Sequence, residues 1–391
     1  MKQIRRIAGG FIDRNTPLSF EFNGRRFEGY QGDTLASALI ANGQTLVGRS
    51  FKYHRPRGIF SAGSEEPNAL VKLRKGAFQE PNTRATTVEL FDQLSATSQN
   101  HRGSLEFDLM AFTDYLSPFL SAGFYYKTFM WPKFAWEKLY EPAIRAAAGL
   151  GSLSLEDDPD IYDKGFLHCD LLVIGAGPSG LAATRAAAFS GAQVILADED
   201  FRAGGRLNSE TFEVDGKKGA DWAQALWQEL ASLPNVRLMS RTTIYGAYDH
   251  GIYGALERRT DHLPHSGGKP RQILWRIYSK RAVLAAGATE RPIAFGNNDR
   301  PGIMLAGAVR SYVNRFAATP GKRISIFTNN DDGWRTARDL SAQGVSVAAV
   351  IDSRNIAPLT DIPHAKIVMG AGVMNTSGRK ALKEIILTTG Q

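Results

Sequence analysis

Residues 169–200 read CDLLVIGAGPSGLAATRAAAFSGAQVILADED, and no other stretch restricts the fold of the chain as strongly. An apolar run at 171–174 enters a turn carrying Gly175, Gly177 and Gly180, which opens an Ala-rich helix. A second strand-like segment, 193–197, ends at Asp198, Glu199 and Asp200. Strand, Gly-x-Gly-x-x-Gly, helix, strand and acid in this order form the context that gives the glycine motif meaning. Gly175 lets the chain turn sharply, Gly177 lets backbone approach a pyrophosphate, and Gly180 lets the helix pack close to the strand. The helix N-terminus presents N–H groups and a positive dipole end to phosphates. An acid about 20 residues on is expected at a ribose hydroxyl, and Asp198 is placed for that role. The motif therefore predicts a bound dinucleotide rather than an ordinary glycine-rich turn.

A chain of 391 residues with 43% hydrophobic content is long enough for two or three domains. Its one cysteine, Cys169, excludes a disulfide framework and a cysteine-ligated iron–sulfur cluster, and is read as an inert, half-buried thiol in a reducing compartment. The basic start, MKQIRRIAGGFIDRN, is not followed by a signal-type apolar run. No stretch reaches the roughly 20 apolar residues of a membrane helix, so no membrane is expected and a cytoplasmic location is. Of the formal charge of +8, residues 1–90 carry +6, from 14 Lys/Arg against 8 Asp/Glu. These bases form no single run and accompany no recognition motif, which argues for a solvated face or an acidic partner subunit and against nucleic acid.

Residues 18–30, LSFEFNGRRFEGY, alternate around Asn23–Gly24 and predict a hairpin with a type I′ turn. Asp33 is expected to cap a short helix that Gly43 ends. With the Arg/Pro/Gly-rich loop that follows, residues 1–90 are expected to form a β-grasp module. Its His54 invites a metal or catalytic role, but with no second His or Cys nearby it reads as a structural histidine. Residues 91–165 hold a connector in which 12 of the chain's 39 aromatics fall between Phe107 and Tyr140, on short helices broken at Pro118, Pro132 and Pro142. This density implies either a core that wraps a neighbouring domain or an anchor surface for another chain. An acidic hinge, SLEDDPDIYDKG, leads into the nucleotide domain, set at 166–320.

That domain continues through AGG at 203–205, a helix near 219–232, a strand carrying Ile244, and an apolar strand ending in the small-residue turn around Gly287. Residues 321–391 then repeat strand, helix and strand, ending at Asp352, but the intervening turn is TNNDDG with Gly333 alone. Asp331 and Asp332 would meet a pyrophosphate with like charge, so this second unit is read as degenerate. No Cys-x-x-Cys, His–Glu metal signature, Gly-x-Ser-x-Gly elbow or acid–base carboxylate pair is evident. No catalytic residue or metal ligand is assigned; any reactive group is a cofactor or belongs to a partner.

The blocks LVGRSFKYHRPRGIFSAGSEEPNALV (46–71), SLEFDLMAFTDYLSPFLSAGFYYKTFMWP (104–132), VIGAGPSGLAA and GATERPIAFGNNDRPGIMLAGAV resemble the alpha subunits of heterotetrameric sarcosine oxidases. The resemblance runs from about residue 5 to the end. It implies an α/β chain with a Rossmann-type, two-dinucleotide-binding, flavin reductase-like fold, preceded by a β-grasp ferredoxin-like module without a cluster. It implies an enzyme subunit with beta, gamma and delta partners, in a complex that oxidises sarcosine with oxygen to glycine and hydrogen peroxide and passes the one-carbon unit to tetrahydrofolate. NAD would sit in this chain, while FAD and FMN would be held mainly by the beta subunit, which carries the main oxidation site. Matched residue by residue, Ser179, Asp198, Glu199, Asp200, Arg206 and Ile244 fall at NAD-contacting positions, beside Gly175, Gly177, Gly180, Gly205 and Gly287. Arg206 departs from the small hydroxyl residue of the pattern. Ser61, Glu66 and Ala69 stand where related iron–sulfur modules carry cysteines. The family's chain continues past KALKEIILTTGQ, so a truncated chain is expected, with the tetrahydrofolate domain outside it. Alternatives are a stand-alone FAD-dependent NAD(P)H oxidoreductase, a cofactor-free scaffold, or the same subunit in a complex acting on another N-methyl amino acid.

Overall fold

A computed structural model describes residues 3–119, 123, 131–147 and 151–389. The chain forms two compact units: Met1–Asp158 with Arg291–Tyr312 and Phe316–Gln391, and Pro159–Glu290 with Val313–Arg315. The stretch 291–312, attached to the nucleotide domain on sequence, thus groups with the other unit.

In the first unit, strands β1 (Asp13–Phe22) and β2 (Arg25–Gln31) form the expected hairpin, with Asn23 and Gly24 at φ +50° and +76° as a type I′ turn requires. Three further strands complete a five-stranded sheet in the order β2-β1-β7-β5-β6: β5 (Leu70–Leu73), β6 (Glu80–Arg84) and β7 (Leu94–Ser98). A small hairpin of β3 (Gly48–Arg49) and β4 (Pro56–Arg57) lies in the preceding loop. Strand β7 runs parallel to β1 and lies past residue 90, where the sequence reading closed the module. Helix α1 (Leu35–Ala41) is buried on all sides. Its cap is Thr34, in a reciprocal box with Ser37, and not Asp33. Asp33 is a buried strut instead, accepting from the Tyr30 N–H and the Ser37 hydroxyl and pairing with Arg6 at 2.7 Å. A carboxylate with three such partners satisfies more donors there than a cap would. His54 is buried with Nδ1 2.7 Å from Asp108 Oδ2, a partner 54 residues away that local sequence could not supply.

Six of the eight described aromatics between 107 and 140 are exposed: Phe107, Phe112, Tyr115, Phe119, Trp131 and Phe134. They do not fill a connecting core; Phe124, Tyr125, Tyr126 and Phe129 lie outside the described residues. Pro142 does not end the helical run: a π-helical stretch, Trp136–Tyr140, leads directly into α2 (Glu141–Ala147), and Pro142 lies just past their junction.

The second unit is built on a six-stranded sheet, β12-β9-β8-β15-β14-β13. Strands β8 (Tyr162–Ile174), β9 (Val194–Ala197), β12 (Val236–Met239) and β15 (Gln272–Leu284) are parallel. An antiparallel meander through β13 (Thr242–Tyr248) and β14 (Ile252–Arg258) returns the chain to β15. A two-strand ribbon, β10 (Glu213–Val214) with β11 (Lys217–Lys218), precedes helix α4 (Gly219–Ala231). Every residue of β9 is buried, as in a parallel sheet covered on both faces. Val173, Val194 and Leu196 pack on one face with Leu181 of α3 (Pro178–Phe189) and Leu226 of α4, whereas Leu172, Ile195 and Ala197 pack on the other with Met239 and Ile277. Cys169 lies inside β8, which starts well before the expected strand, and burial raises its thiol pKa.

The remaining elements return to the first unit. Helix α5 (Ala306–Arg310) precedes a parallel sheet of β16 (Arg323–Thr328), β17 (Ser346–Asp352) and β18 (Lys366–Met369), with helix α6 (Asp331–Ala342) after β16. Strands β19 (Ala371–Gly378) and β20 (Leu382–Thr389) form an antiparallel pair. Among the described residues no helix is long and apolar enough to cross a membrane.

Candidate dinucleotide-binding site

The glycine turn lies between β8 and α3, and each glycine does separate work. Gly175 sits at φ +103°, and a Cβ there would come 2.5 Å from the Ala285 carbonyl oxygen. A Cβ on Gly180 would come 1.8 Å from the Gly175 carbonyl oxygen, so only glycine lets α3 approach the turn this closely. Gly177 differs: at φ −69° it has no backbone need for glycine, and its Cβ position faces open space. Gly287, at φ +70°, also faces open space, and Gly205 packs its backbone against Gly177, with a would-be Cβ 3.1 Å from the Gly177 Cα. The Gly204 N–H donates to the Ala176 carbonyl at 2.9 Å, which ties the 203–205 loop to the turn. No side chain caps α3, whose first helical residue is Pro178, and Ser179 is exposed on the same first turn. The result is an uncapped helix N-terminus behind a glycine-lined opening, an arrangement suited to an anion such as a pyrophosphate.

Asp198 ends β9 beside this turn. One of its carboxylate oxygens accepts from the Ala176 N–H and the other from the Asp200 N–H. Burial pushes its pKa up to about 6, against the lowering effect of those two hydrogen bonds and with help from the charges of Asp200 and Glu199. Asp198 therefore braces the glycine turn through its carboxylate. The side chain of Glu199 is exposed, and its carbonyl accepts from Arg258. Asp200, expected to border an adenosine, holds both terminal guanidinium nitrogens of Arg315 through its two oxygens. Burial opposes ionisation of Asp200, but the Arg315 charge and hydrogen bonds outweigh it and lower its pKa. Arg315 also lies over the Phe201 ring, 4.8 Å from its centroid. Sequence reasoning missed Arg315 because it is 115 residues away from Asp200 and carries no motif.

Arg206 follows the glycine pair in a short helical turn and pairs with Glu210 at 2.8 Å, leaving its side chain largely exposed. Ile244 packs against the face of the sheet that holds Ala197 and Met239, two residues beyond Thr242, whose N–H donates to the Asp198 carbonyl. The structure thus brings Gly180 against Gly175 and Gly205 against Gly177, with Asp198 bonded to the N–H of the intervening Ala176. It directs Asp200 and Arg206 into ion pairs.

A βαβ glycine turn on a parallel sheet, with an antiparallel meander at one side, defines an α/β protein of the Rossmann-type, flavin reductase-like class. Residues 170–250 match the FAD dependent oxidoreductase family, and residues 15–101 match the 2Fe-2S iron-sulfur cluster binding domain. Sarcosine oxidase subunit alpha of Rhizobium meliloti (strain 1021) is 55% identical over 386 residues, which cover 98% of this chain and 39% of that one. The subunit of the same name from Corynebacterium sp. (strain P-1) is 41% identical over 94% of this chain and 33% of its own length. The chain is thus similar in sequence to sarcosine oxidase alpha subunits along nearly all of its residues, while it spans about two-fifths or less of the length of those relatives. A crystal structure of L-proline dehydrogenase from P. horikoshii shares the fold, with a TM-score of 0.62 at 17% identity, covering 98% of this chain and 59% of that one.

The residues do not fit an iron–sulfur cluster. Such clusters are held by Cys thiolates, and residues 15–101 contain no cysteine. Among the described residues no group of three or more His, Cys, Asp or Glu side chains is arranged to hold a metal ion.

Proposed function

We propose that this chain is the NAD-holding part of an alpha-type subunit in a sarcosine-oxidising complex. The observation that carries this reading is the open, uncapped glycine turn with Asp198 fixed beneath it, at a position where a Cβ on Gly177 would occupy the approach. When bound, NAD supplies a nicotinamide able to accept or give a hydride. The chain's own residues bind and orient it. Gly175, Gly177, Ser179 and Gly180 meet the pyrophosphate, with Gly205 and Gly287 bordering the opening. Asp198 or Glu199 accepts from the adenine ribose, which favours NAD over a 2′-phosphorylated dinucleotide. Asp200, Arg206 and Ile244 border the adenosine, Asp200 in its pair with Arg315.

The second strand–turn–helix unit supports a single nucleotide site, because Asn330 caps α6 and Arg354 bonds Asp331 at 2.8 Å across its mouth. Sarcosine oxidation to glycine and hydrogen peroxide then belongs to partner subunits, beta above all, with their FAD and FMN. Transfer of the one-carbon unit to tetrahydrofolate lies outside these residues. Gamma and delta subunits complete the assembly, in the cytoplasm. Exposed aromatics between Phe107 and Phe134 favour a surface that other subunits cover.

Denaturing the purified protein and identifying what is released by absorbance and mass tests this reading. About one NAD per colourless chain is expected. A yellow protein releasing FAD would instead put a flavin on the same turn, the reading favoured by the family match at 170–250.

A further inference from the structure

The β-grasp unit poses its own question: what holds its iron–sulfur-type loop in shape when no thiolate is available? Backbone N–H groups pointing into a common concavity are a feature of many Fe–S sites, where they face an anionic group. Here the loop 60–69 also converges its N–H groups, and the anion they meet is the side chain of Glu66. One carboxylate oxygen accepts from the main-chain N–H of Phe60 at 2.9 Å and of Ser61 at 2.6 Å, and from the Ser61 hydroxyl at 3.2 Å. The other accepts from the main-chain N–H of Asn68 at 2.8 Å and of Ala69 at 3.0 Å. Glu66 is 1% exposed and Ser61 is fully buried, so water cannot replace these bonds.

We infer that the Glu66 carboxylate takes the structural place of a cluster in this module, as a built-in anion around which the loop closes. Three of the loop residues it organises, Ser61, Glu66 itself and Ala69, are the ones that stand where cysteines would be. An ionised carboxylate suits this role because it is acceptor-only and can take about four donors, and each hydrogen bond to a charge is stronger than a neutral one. Four carbonyls of the loop are tied outward. The Ser61 carbonyl accepts from the Tyr312 hydroxyl at 2.8 Å, the Phe60 carbonyl from the Leu305 N–H, the Glu66 carbonyl from Arg84, and the Gly63 carbonyl from the Thr86 hydroxyl. Burial raises the Tyr312 pKa well above its ordinary value, with the Glu66 charge as the next contributor, so the phenol stays a donor to the loop. The module keeps the loop of an electron-carrying domain while its centre is filled by a group that cannot change oxidation state.

The test is amide hydrogen exchange on the whole protein, with and without Glu66→Gln. The amide side chain can accept at one oxygen only and turns an N–H₂ toward two donors. Exchange at Phe60, Ser61, Asn68 and Ala69 is expected to accelerate about 100-fold in the variant, while β1 and β2 are unchanged. Unaltered protection at those four amides would overturn the inference. Should Glu66→Gln not fold, the native protein decides. Its four loop amides must be protected like strand amides, and anaerobic treatment with ferrous iron and sulfide must leave no iron–sulfur absorption band. Fast exchange at the four amides, or a cluster spectrum after that treatment, overturns it equally.

Discussion

Two strand–turn–helix units in this chain have similar skeletons and opposite mouths. In the first, β8 leads through Gly175–Gly180 into α3, no side chain caps the helix, and the Cβ direction of Gly177 is open. In the second, β16 leads through TNNDDG into α6, and side chains fill the same kind of opening. The Asn330 side chain accepts from the Asp332 N–H at 3.0 Å, and Arg354 bridges Asp331 and the buried Asp352, each at 2.8 Å. Burial resists ionisation of Asp352, yet its bonds to Arg354 and to the Trp334 indole keep its carboxyl pKa low. Gly333 is crowded too, though less than Gly180: a Cβ there would come 2.4 Å from the Thr328 side chain, against 1.8 Å from main chain at Gly180. The comparison separates two jobs that glycine does in this motif. Close packing of helix on strand needs a glycine in both units. Of the two units, the first has a second, uncrowded glycine and no side-chain cap at its turn.

Gly180→Val tests the packing job and carries the largest expected effect. With backbone 1.8 Å from the new Cβ, α3 must move off the sheet. A loss of about 4 kcal/mol in urea unfolding is expected, and a variant as stable as the parent would show that the turn relaxes freely. Gly177→Val tests the opening: its Cβ has no neighbour within 4 Å and its φ suits any residue, so folding should change by less than about 0.5 kcal/mol. Released NAD, measured after denaturation, should nonetheless fall to background. Retention of NAD would make the motif a turn and nothing more.

Asp198→Asn sharpens the comparison through the acid beneath the turn. It leaves either the Ala176 or the Asp200 N–H without its acceptor, at a cost of about 1–3 kcal/mol. The pH dependence has a definite sign. The folded pKa of Asp198, about 6, lies above its ordinary value, so the folded state takes up a proton first as pH falls. The stability this carboxyl contributes is therefore fully present below about pH 4 and is lost as pH rises through about 6. Urea midpoints at pH 5 and pH 7.5 should show that difference in the parent and not in the variant. On the proposed ribose role of Asp198, NAD affinity should weaken as pH drops below about 6, because protonation removes the charge of the acceptor. The smallest effect belongs to Arg354→Ala, which unlatches the second mouth without providing a glycine to admit phosphate. The bound nucleotide should stay at about one per chain by mass, and a second equivalent would show that the latch alone closed that site.

Much of the first site was legible because its determinants are local. Gly175, Gly177 and Gly180 are spaced within one turn, and Asp198 ends the strand that the sheet places next to it. Arg315, Ala285 and Arg258 shape the same region from positions no spacing rule connects to it. Asp200 and Arg206 illustrate the limit: their charge and position are visible in the sequence, but the partner that claims each one is set by packing. In the β-grasp module the lack of cysteine was evident at once, whereas the donors around Glu66 were not. A carboxylate reads the same in sequence whether it faces water or four main-chain N–H groups.

The sequence by itself determined the type I′ hairpin, the strand–turn–helix–strand order around Gly175–Gly180, the glycine-dependent packing of α3, and the lack of a glycine-rich turn in the second unit. These follow from backbone sterics, hydrophobic period and like charge, which act within a few residues. Tertiary structure alone decided which acids remain available to a ligand, where the aromatic side chains face, and what fills the loop 60–69. Those outcomes depend on burial and on hydrogen-bond partners distant in the chain, since the energy of a polar group is set by what surrounds it in the fold.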